Sequence, residues 1–521
     1  METEIKRGAS SSHSIDTESG TIRYMATADW IVLRKNEKPI AEMFYVSYVA
    51  ESDTPRPLTF VFNGGPGASS AYLHLGALGP QRGRFTENGQ APPPPYRLCD
   101  NESTWLEFTD LVFIDPIGTG FSRMIGGSEE TENSKTSRGA NTNTDTAEGS
   151  LSDSSKADGK RGNSGTTGSI DSAGAADQES SEYWQLKRDL ESLCEGICSY
   201  LSVNHRWEST VYLAGESYGG FRTAKLSKLL QKDYGVGLAG VIIISPALEF
   251  TLLDGSDYDA LMWVDTFPTM AAAAWIHGRA RKVQKNEPMR DYMRRAAQFA
   301  VKDLLPVLAA GDMFGTEQRD RILNQAADYI GLPRETLRKK GGRIAIDYYV
   351  KNLLRDQNEY LGLYDAAISS SDPYPDRDNL DAPDPTLHQV SRVFAAGINT
   401  QLRKHIGLQT ERDYNLLSQL VNTSWKIDTR KHALESQVGA TDDLRYGMSL
   451  NPDMQVFICH GIFDLVTPWF AAERITRLMK LTDEQRARLS LKYYDGGHMF
   501  YTWDSSRSAF RDDVRELYTR Q

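Results

Sequence analysis

Thr210-Val-Tyr-Leu-Ala214, Gly215-Glu216-Ser217-Tyr218-Gly219-Gly220 and Phe221-Arg-Thr-Ala-Lys-Leu-Ser-Lys-Leu-Leu230 follow one another without a gap. The first is a short apolar run, the second a Gly-x-Ser-x-Gly turn, the third a helix-forming segment. Strand, tight turn and helix in that order place a serine hydroxyl on a strained elbow above the carboxyl edge of a sheet. A serine hydroxyl is a weak nucleophile until a base stands beside it. The motif therefore demands a histidine and an orienting carboxylate further along the chain, each at the end of a strand.

Both partners are found. After the run Val456-Phe-Ile-Cys459 comes His460-Gly-Ile-Phe-Asp464, and after Leu489-Ser-Leu-Lys-Tyr-Tyr494 comes Asp495-Gly-Gly-His498. The chain order Ser217, Asp464, His498 is that of α/β-hydrolases and of neither other known triad order. In this arrangement His498 takes the proton from Ser217 while Asp464 holds the imidazole in its useful tautomer. An oxyanion also needs backbone N–H donors: one from Tyr218, the other from the loop Asn63-Gly-Gly-Pro-Gly-Ala-Ser-Ser70 after the strand Leu58-Thr-Phe-Val-Phe62. Taken singly, Asp464 also reads as a helix N-cap, His498 as a turn residue and the glycine-rich loop as a tight turn.

The strands needed to carry these residues are legible. Thr21–Arg34 and Ile40–Val49 alternate polar and apolar residues, as half-exposed antiparallel strands do. Leu58–Phe62, Leu111–Ile114, Val211–Leu213, Val241–Ile244, Val456–Cys459 and Leu489–Tyr494 are short apolar runs ending in turns. The expectation is an α/β-hydrolase fold, a mostly parallel eight-stranded sheet with a helical cap inserted between strands six and seven. The chain divides into a loose N-terminus (1–20), core (21–125), a low-complexity insertion (126–182), core with the elbow (183–249), the cap (250–444), and core with the acid and the histidine (445–521). Helical stretches in the cap are Met270–Ile276, Met289–Leu308, Thr316–Ile330 and Ser391–Arg403. The 126–182 stretch is Ser, Thr, Gly, Asn, Asp and Lys with hardly an apolar residue, so a disordered spacer is expected, a phosphorylation or partner role being the alternative.

Composition narrows the partners. The 521 residues carry a net charge of −11, which argues against a nucleic-acid binder. No apolar run approaches the ~20 residues of a membrane span. Residues Met1–His13 lack the apolar core of a secretory signal, so the expected compartment is the cytoplasm, with export the alternative if the true start is missing. Cys194 and Cys198 share a helix face beside an apolar stripe and Cys459 ends an apolar strand; with Cys99 they read as free thiols rather than a disulfide framework. No cofactor and no metal is expected.

Four segments, Asn63–Ser70, Asp115-Pro-Ile-Gly-Thr-Gly-Phe-Ser122, Gly215–Gly220 and Gly497-His-Met499, closely resemble the motif set of the serine carboxypeptidase family. The resemblance covers the sheet core, about half the chain, and implies release of a C-terminal amino acid, with peptide or protein C-termini as the substrate. It matches Ser217, Asp464 and His498 to the triad, Gly65 and Tyr218 to the oxyanion donors, and Asn63 and Glu216 to groups holding the substrate carboxylate. Another acyl hydrolase, an esterase or an acyltransferase would use the same triad, and a catalytically silent binding protein is the remaining alternative. The chain departs from the pattern at Val61 (usually tryptophan), Ala77 (usually a second glutamate), and Ala68 and Thr467 (usually cysteines). The missing cysteines agree with a disulfide-free, bacterial-type member. Without the second glutamate, either C-terminal selectivity is weakened or the cap supplies a cation such as an arginine.

Overall fold

The computed structural model describes residues 8–125, 182–253, 255–427 and 438–519. One twisted sheet organises them. Its strands are β1 (Ala9–Thr17), β2 (Gly20–Lys35), β3 (Lys38–Ala50), β4 (Leu58–Phe62), β5 (Asp110–Ile114), β6 (Val211–Glu216), β7 (Gly240–Ile244), β8 (Gln455–Gly461) and β9 (Leu489–Tyr494). In space they run β1-β2-β3-β5-β4-β6-β7-β8-β9, with the short strand Arg123–Met124 against β3. From β5 onward neighbours are parallel; β1, β2 and β3 form an antiparallel meander that joins β5 antiparallel. Every residue of β4, β5 and β7 is buried, which is what continuous apolar runs in a sheet covered on both faces require.

The strand order reverses at β4. The chain leaves β4 for β5 on one side and later returns to lay β6 on the other. In open α/β sheets the crevice outside the carboxyl ends at such a switch is where ligands bind. Register aligns the ends: Phe62 pairs with Gly215, Glu216 with Ile244, and Ile244 with Cys459. The residues that follow each strand therefore share one edge.

The structure differs from the sequence expectation in the N-terminus, and the eight expected strands become ten. Residues 9–17 are not loose but form β1, paired along its whole length with β2 through a tight turn at Glu18-Ser19. Four of its nine residues are serine and only Ile15 is buried, so it shows no apolar alternation. Backbone pairing rather than side-chain burial makes this strand. Arg123–Met124 is too short to leave a pattern.

Two apolar layers cover the sheet. The helices Leu186–Val203 and Tyr218–Asp233 pack on one face with Cys194, Ile197, Phe221 and Leu226 in the core. The last helix, Asp504–Thr519, covers the other with Phe510 and Val514. The long segment between β7 and β8 divides. Helices Leu261–Ile276, Met289–Phe299, Thr316–Ile330 and Ile346–Asn352 enclose a core of their own, joined to the sheet through Phe463, Leu465 and Trp469. The helix Pro385–Thr400, continuing to Ile406, instead buries Val393, Phe394 and Ile398 in the core on the sheet's second face, against Tyr72, Leu75 and Phe85. It belongs to the body that carries the sheet.

The insertion expected at 126–182 falls outside the described residues apart from its last position. Among the described residues no helix is long and apolar enough to cross a membrane. Cys99, Cys194, Cys198 and Cys459 are all free thiols.

Candidate active site

Ser217 stands between β6 and its helix at φ 60°, ψ −124°. A side chain at positive φ costs on the order of 1–3 kcal/mol and persists only where the surroundings over-determine it. They do so here. Ser217 N donates to Ile244 O at 2.9 Å, and Ser217 O accepts from Gly220 N at 2.9 Å. The glycines of the motif are needed for packing. A Cβ on Gly219 would lie 2.5 Å from Phe62 O, and one on Gly64 would collide with the amide nitrogens of Tyr218 and Gly219. The bare Gly64 thus lets the loop after β4 lie flat on the elbow and brings it to the Tyr218 amide at the helix N-terminus, the end that stabilises negative charge. Gly65 follows at φ +95°, a turn that only glycine makes without strain. The two oxyanion elements named by the motif are thus adjacent.

Asp464 and His498 meet at the same edge. Asp464 is fully buried and His498 nearly so. Asp464 Oδ1 accepts from the Val466 and Thr467 amides at 2.9 and 3.0 Å, and Oδ2 lies 2.7 Å from His498 Nδ1. An ionised carboxylate only accepts, so the ring proton sits on Nδ1 and Nε2 is left as the base. Burial disfavours the imidazolium of His498, but the Asp464 carboxylate and the charge of Glu216 outweigh it, so its pKa is raised.

Beside the nucleophile lies a second polar cluster. Asn63 Nδ2 donates to Glu216 Oε2, and Asn63 Oδ1 accepts from Leu73 N at 3.0 Å. Glu216 is 3% exposed, and its Oε1 is buried without a hydrogen-bond partner. Burial pushes its carboxyl up to about 7, against the opposing pull of His498, the Tyr501 phenol and Asn63. Among the described residues the groups acting most on Glu216 are His498, Tyr501, Asp464 and Asn63, and the arginine considered above is not one of them. Phenols surround it instead: Tyr72 and Tyr364 both feel its charge. The Tyr501 ring lies against Gly76, where a Cβ would overlap it, next to the buried Ala77 that stands where a glutamate was expected. Val61 is buried in β4.

Arg222 fastens the cluster from behind. It is fully buried, pairs with Asp189 through two bonds of 2.7 and 3.0 Å, and donates from Nη1 to Asn63 O at 2.8 Å. The helix after the elbow and the loop after β4 are thereby tied to each other.

Several contributors escaped the sequence reading. Thr467, noted only as a departure, donates from Oγ1 to Asp464 Oδ2 at 2.6 Å and also lies 3.0 Å from Ser245 O. Ser245 Oγ donates to His498 O at 2.8 Å, and Ser245 N donates to Cys459 O at 2.7 Å. A polar residue directly after the apolar run Val241–Ile244 was a usable signal for Ser245. Among the described residues no group of three or more His, Cys, Asp or Glu side chains is placed to hold a metal ion.

Comparison with known proteins bears on this geometry. The family model for serine carboxypeptidase matches residues 25–262. A retinoid-inducible serine carboxypeptidase from Rattus norvegicus is 32% identical over 95 residues, 18% of either chain. A pheromone-processing carboxypeptidase KEX1 from Phytophthora infestans is 36% identical over 104 residues, 18% of this chain and 15% of its own. The matched segments therefore span less than a fifth of these relatives. The crystal structure of the prohormone-processing carboxypeptidase KEX1(DELTA)P from Saccharomyces cerevisiae superposes with a TM-score of 0.52 at 15% identity, over 95% of this chain and 91% of that one, a likeness of fold. The α/β-hydrolase fold and the elbow with its adjoining glycine-rich loop agree with the match to the serine carboxypeptidase model, which covers residues 25–262 and ends before Asp464 and His498.

Proposed function

We propose that this protein is a serine-type carboxypeptidase that removes the C-terminal residue of a peptide. One observation carries the exopeptidase part. Glu216, whose Oε1 is buried without a partner, ends β6 directly before Ser217, and Asn63, which bonds to it, follows directly on β4. A terminal carboxylate seated there puts the last peptide carbonyl next to Ser217.

The chemistry follows from the groups present. Ser217 Oγ attacks that carbonyl carbon as His498 Nε2 takes the hydroxyl proton, and the oxyanion is received by backbone amides at Gly65 and Tyr218. The C–N bond breaks as His498 returns the proton to the departing amine, leaving an acyl ester on Ser217. Water, deprotonated by the same histidine, then hydrolyses the ester. Asp464 stays ionised throughout, and the two amides and one hydroxyl that it accepts from hold it in place.

The test pairs two measurements. A fluorophosphonate probe labels the parent enzyme and fails to label Ser217→Ala. An N-blocked dipeptide is cleaved and its C-terminal amide is cleaved far more slowly. Labelling with equal turnover of acid and amide, or with turnover of simple esters alone, would replace the carboxypeptidase reading by that of a general acyl hydrolase.

A further inference from the structure

One segment of the region between β7 and β8 reaches both the acid turn and the histidine turn, largely through its backbone. Leu363–Ala366, in the connection between the short strands Glu359–Leu361 and Ser369–Ser371, runs between the turn that bears Asp464 and the turn that bears His498. On the acid side, Leu465 N donates to Leu363 O at 3.1 Å and Ala366 N donates to Phe463 O at 2.9 Å. On the histidine side, His498 N donates to Tyr364 O at 2.5 Å, and the Tyr364 ring stands edge-on to the imidazole with centroids 5.3 Å apart. The fit allows no side chain at Gly497, since a Cβ there would overlap Tyr364 O and the Asp365 backbone.

Only one side chain of this segment bonds to the histidine turn. Asp365 is 2% exposed, and its Oδ2 accepts from Gly497 N at 2.9 Å and from Trp503 Nε1 at 3.1 Å. Its Oδ1 accepts from Ala367 N at 3.0 Å, which fixes the carboxyl relative to its own backbone. Burial of a carboxyl without a cation is costly, and it raises the pKa of Asp365 to about 7. Of the three donors that the buried carboxyl accepts from, one is the amide directly before the catalytic histidine.

We propose that Asp365 is a positioning residue for His498, and that Leu363–Ala366 braces the acid and histidine turns into one unit. Asp365 touches no reacting atom. It holds the Gly497 amide, and through the next peptide it sets the distance between His498 Nδ1 and Asp464. The inference rests on the Ser217–His498–Asp464 reading and is independent of the substrate.

The experiment follows fluorophosphonate labelling of Ser217, which reports the base without reference to peptide specificity. In Asp365→Ala the labelling rate falls on the order of 10–100-fold, the size expected when a reacting group is slightly misplaced. The low-field imidazole N–H resonance of His498 shifts or broadens, and with a blocked dipeptide kcat falls while KM holds. Asp365→Asn, which keeps an acceptor oxygen, recovers most of the rate. A folded Asp365→Ala that labels at the parent rate with the resonance unmoved overturns the proposal. So does a rate loss accompanied by a lower Tm and an unmoved resonance. Should Asp365→Ala not fold, Trp503→Phe decides, since it removes one donor to the same carboxylate: a several-fold loss with a moved resonance supports the proposal, and the parent rate overturns it. An unlabelled parent enzyme would overturn the hydrolase reading and this inference with it, whereas a labelled parent with unaltered variants overturns the inference alone.

Discussion

Replacing Glu216 by glutamine converts a titrating group into a permanently neutral one of the same shape, and the structure says how much should change. Burial sets the Glu216 carboxyl to about 7. Below that pH it is neutral and offers an O–H to the substrate carboxylate; above it, two like charges face each other. Each pH unit above 7 cuts the neutral fraction about tenfold, equivalent to roughly 1.4 kcal/mol of lost binding. The ratio of KM for a blocked dipeptide acid to KM for its amide should therefore climb about tenfold from pH 6 to 8, the ratio cancelling the titration of His498. In Glu216→Gln the ratio should stay flat. Stability gives an independent reading of the same group. A carboxyl raised from 4.5 to about 7 contributes stability that is fully present below the unfolded value and lost as pH rises through the folded one. Relative to the glutamine variant, the parent should lose roughly 3 kcal/mol of unfolding free energy between pH 4.5 and 8, read from urea titrations at both ends. A parent ratio that does not move between pH 6 and 8, or one that climbs equally in Glu216→Gln, would refute the assignment of Glu216 to the substrate carboxylate.

Three further outcomes are expected. Asp464→Asn should leave the fold and lower kcat by about 10⁴, because the imidazole would then present the wrong tautomer; single-turnover acylation checks it. Thr467→Val should lower kcat/KM by about tenfold and cost about 1.5–3 kcal/mol in urea unfolding, since it takes the hydroxyl donor from buried Asp464 Oδ2. Arg222→Met should destabilise by about 3–5 kcal/mol, leaving Asp189 charged and unpaired in the interior, and a double variant with Asp189→Leu should recover much of that loss.

The parts of this molecule that were legible in the sequence are those whose chemistry is local. A serine between glycines after an apolar run, an aspartate and a histidine each just past another such run, and a glycine-rich loop after a fourth all announce themselves within a few residues. Residues whose role depends on what lies opposite did not. Asp365 is an ordinary acid in a loop until Gly497 and Trp503 are folded against it, and Ser245 matters because β7 ends beside β8. The helix at Pro385–Ile406 has the same periodicity as its neighbours, and periodicity says that a face is buried without saying against what; its partner is the sheet rather than the cap. The strand Ala9–Thr17 failed for the opposite reason, being held by main-chain pairing that leaves no trace in polarity.

The backbone of Ser217 sits where glycine would be more comfortable, at φ 60°. A chain released from selection for turnover would drift toward glycine there and become more stable by doing so, on the order of 1–3 kcal/mol at most. Nothing in the folding of the sheet protects the hydroxyl. A serine held at such an angle by the surrounding backbone spends stability on the placement of its hydroxyl, and that weighs against a reading of this protein as an idle scaffold.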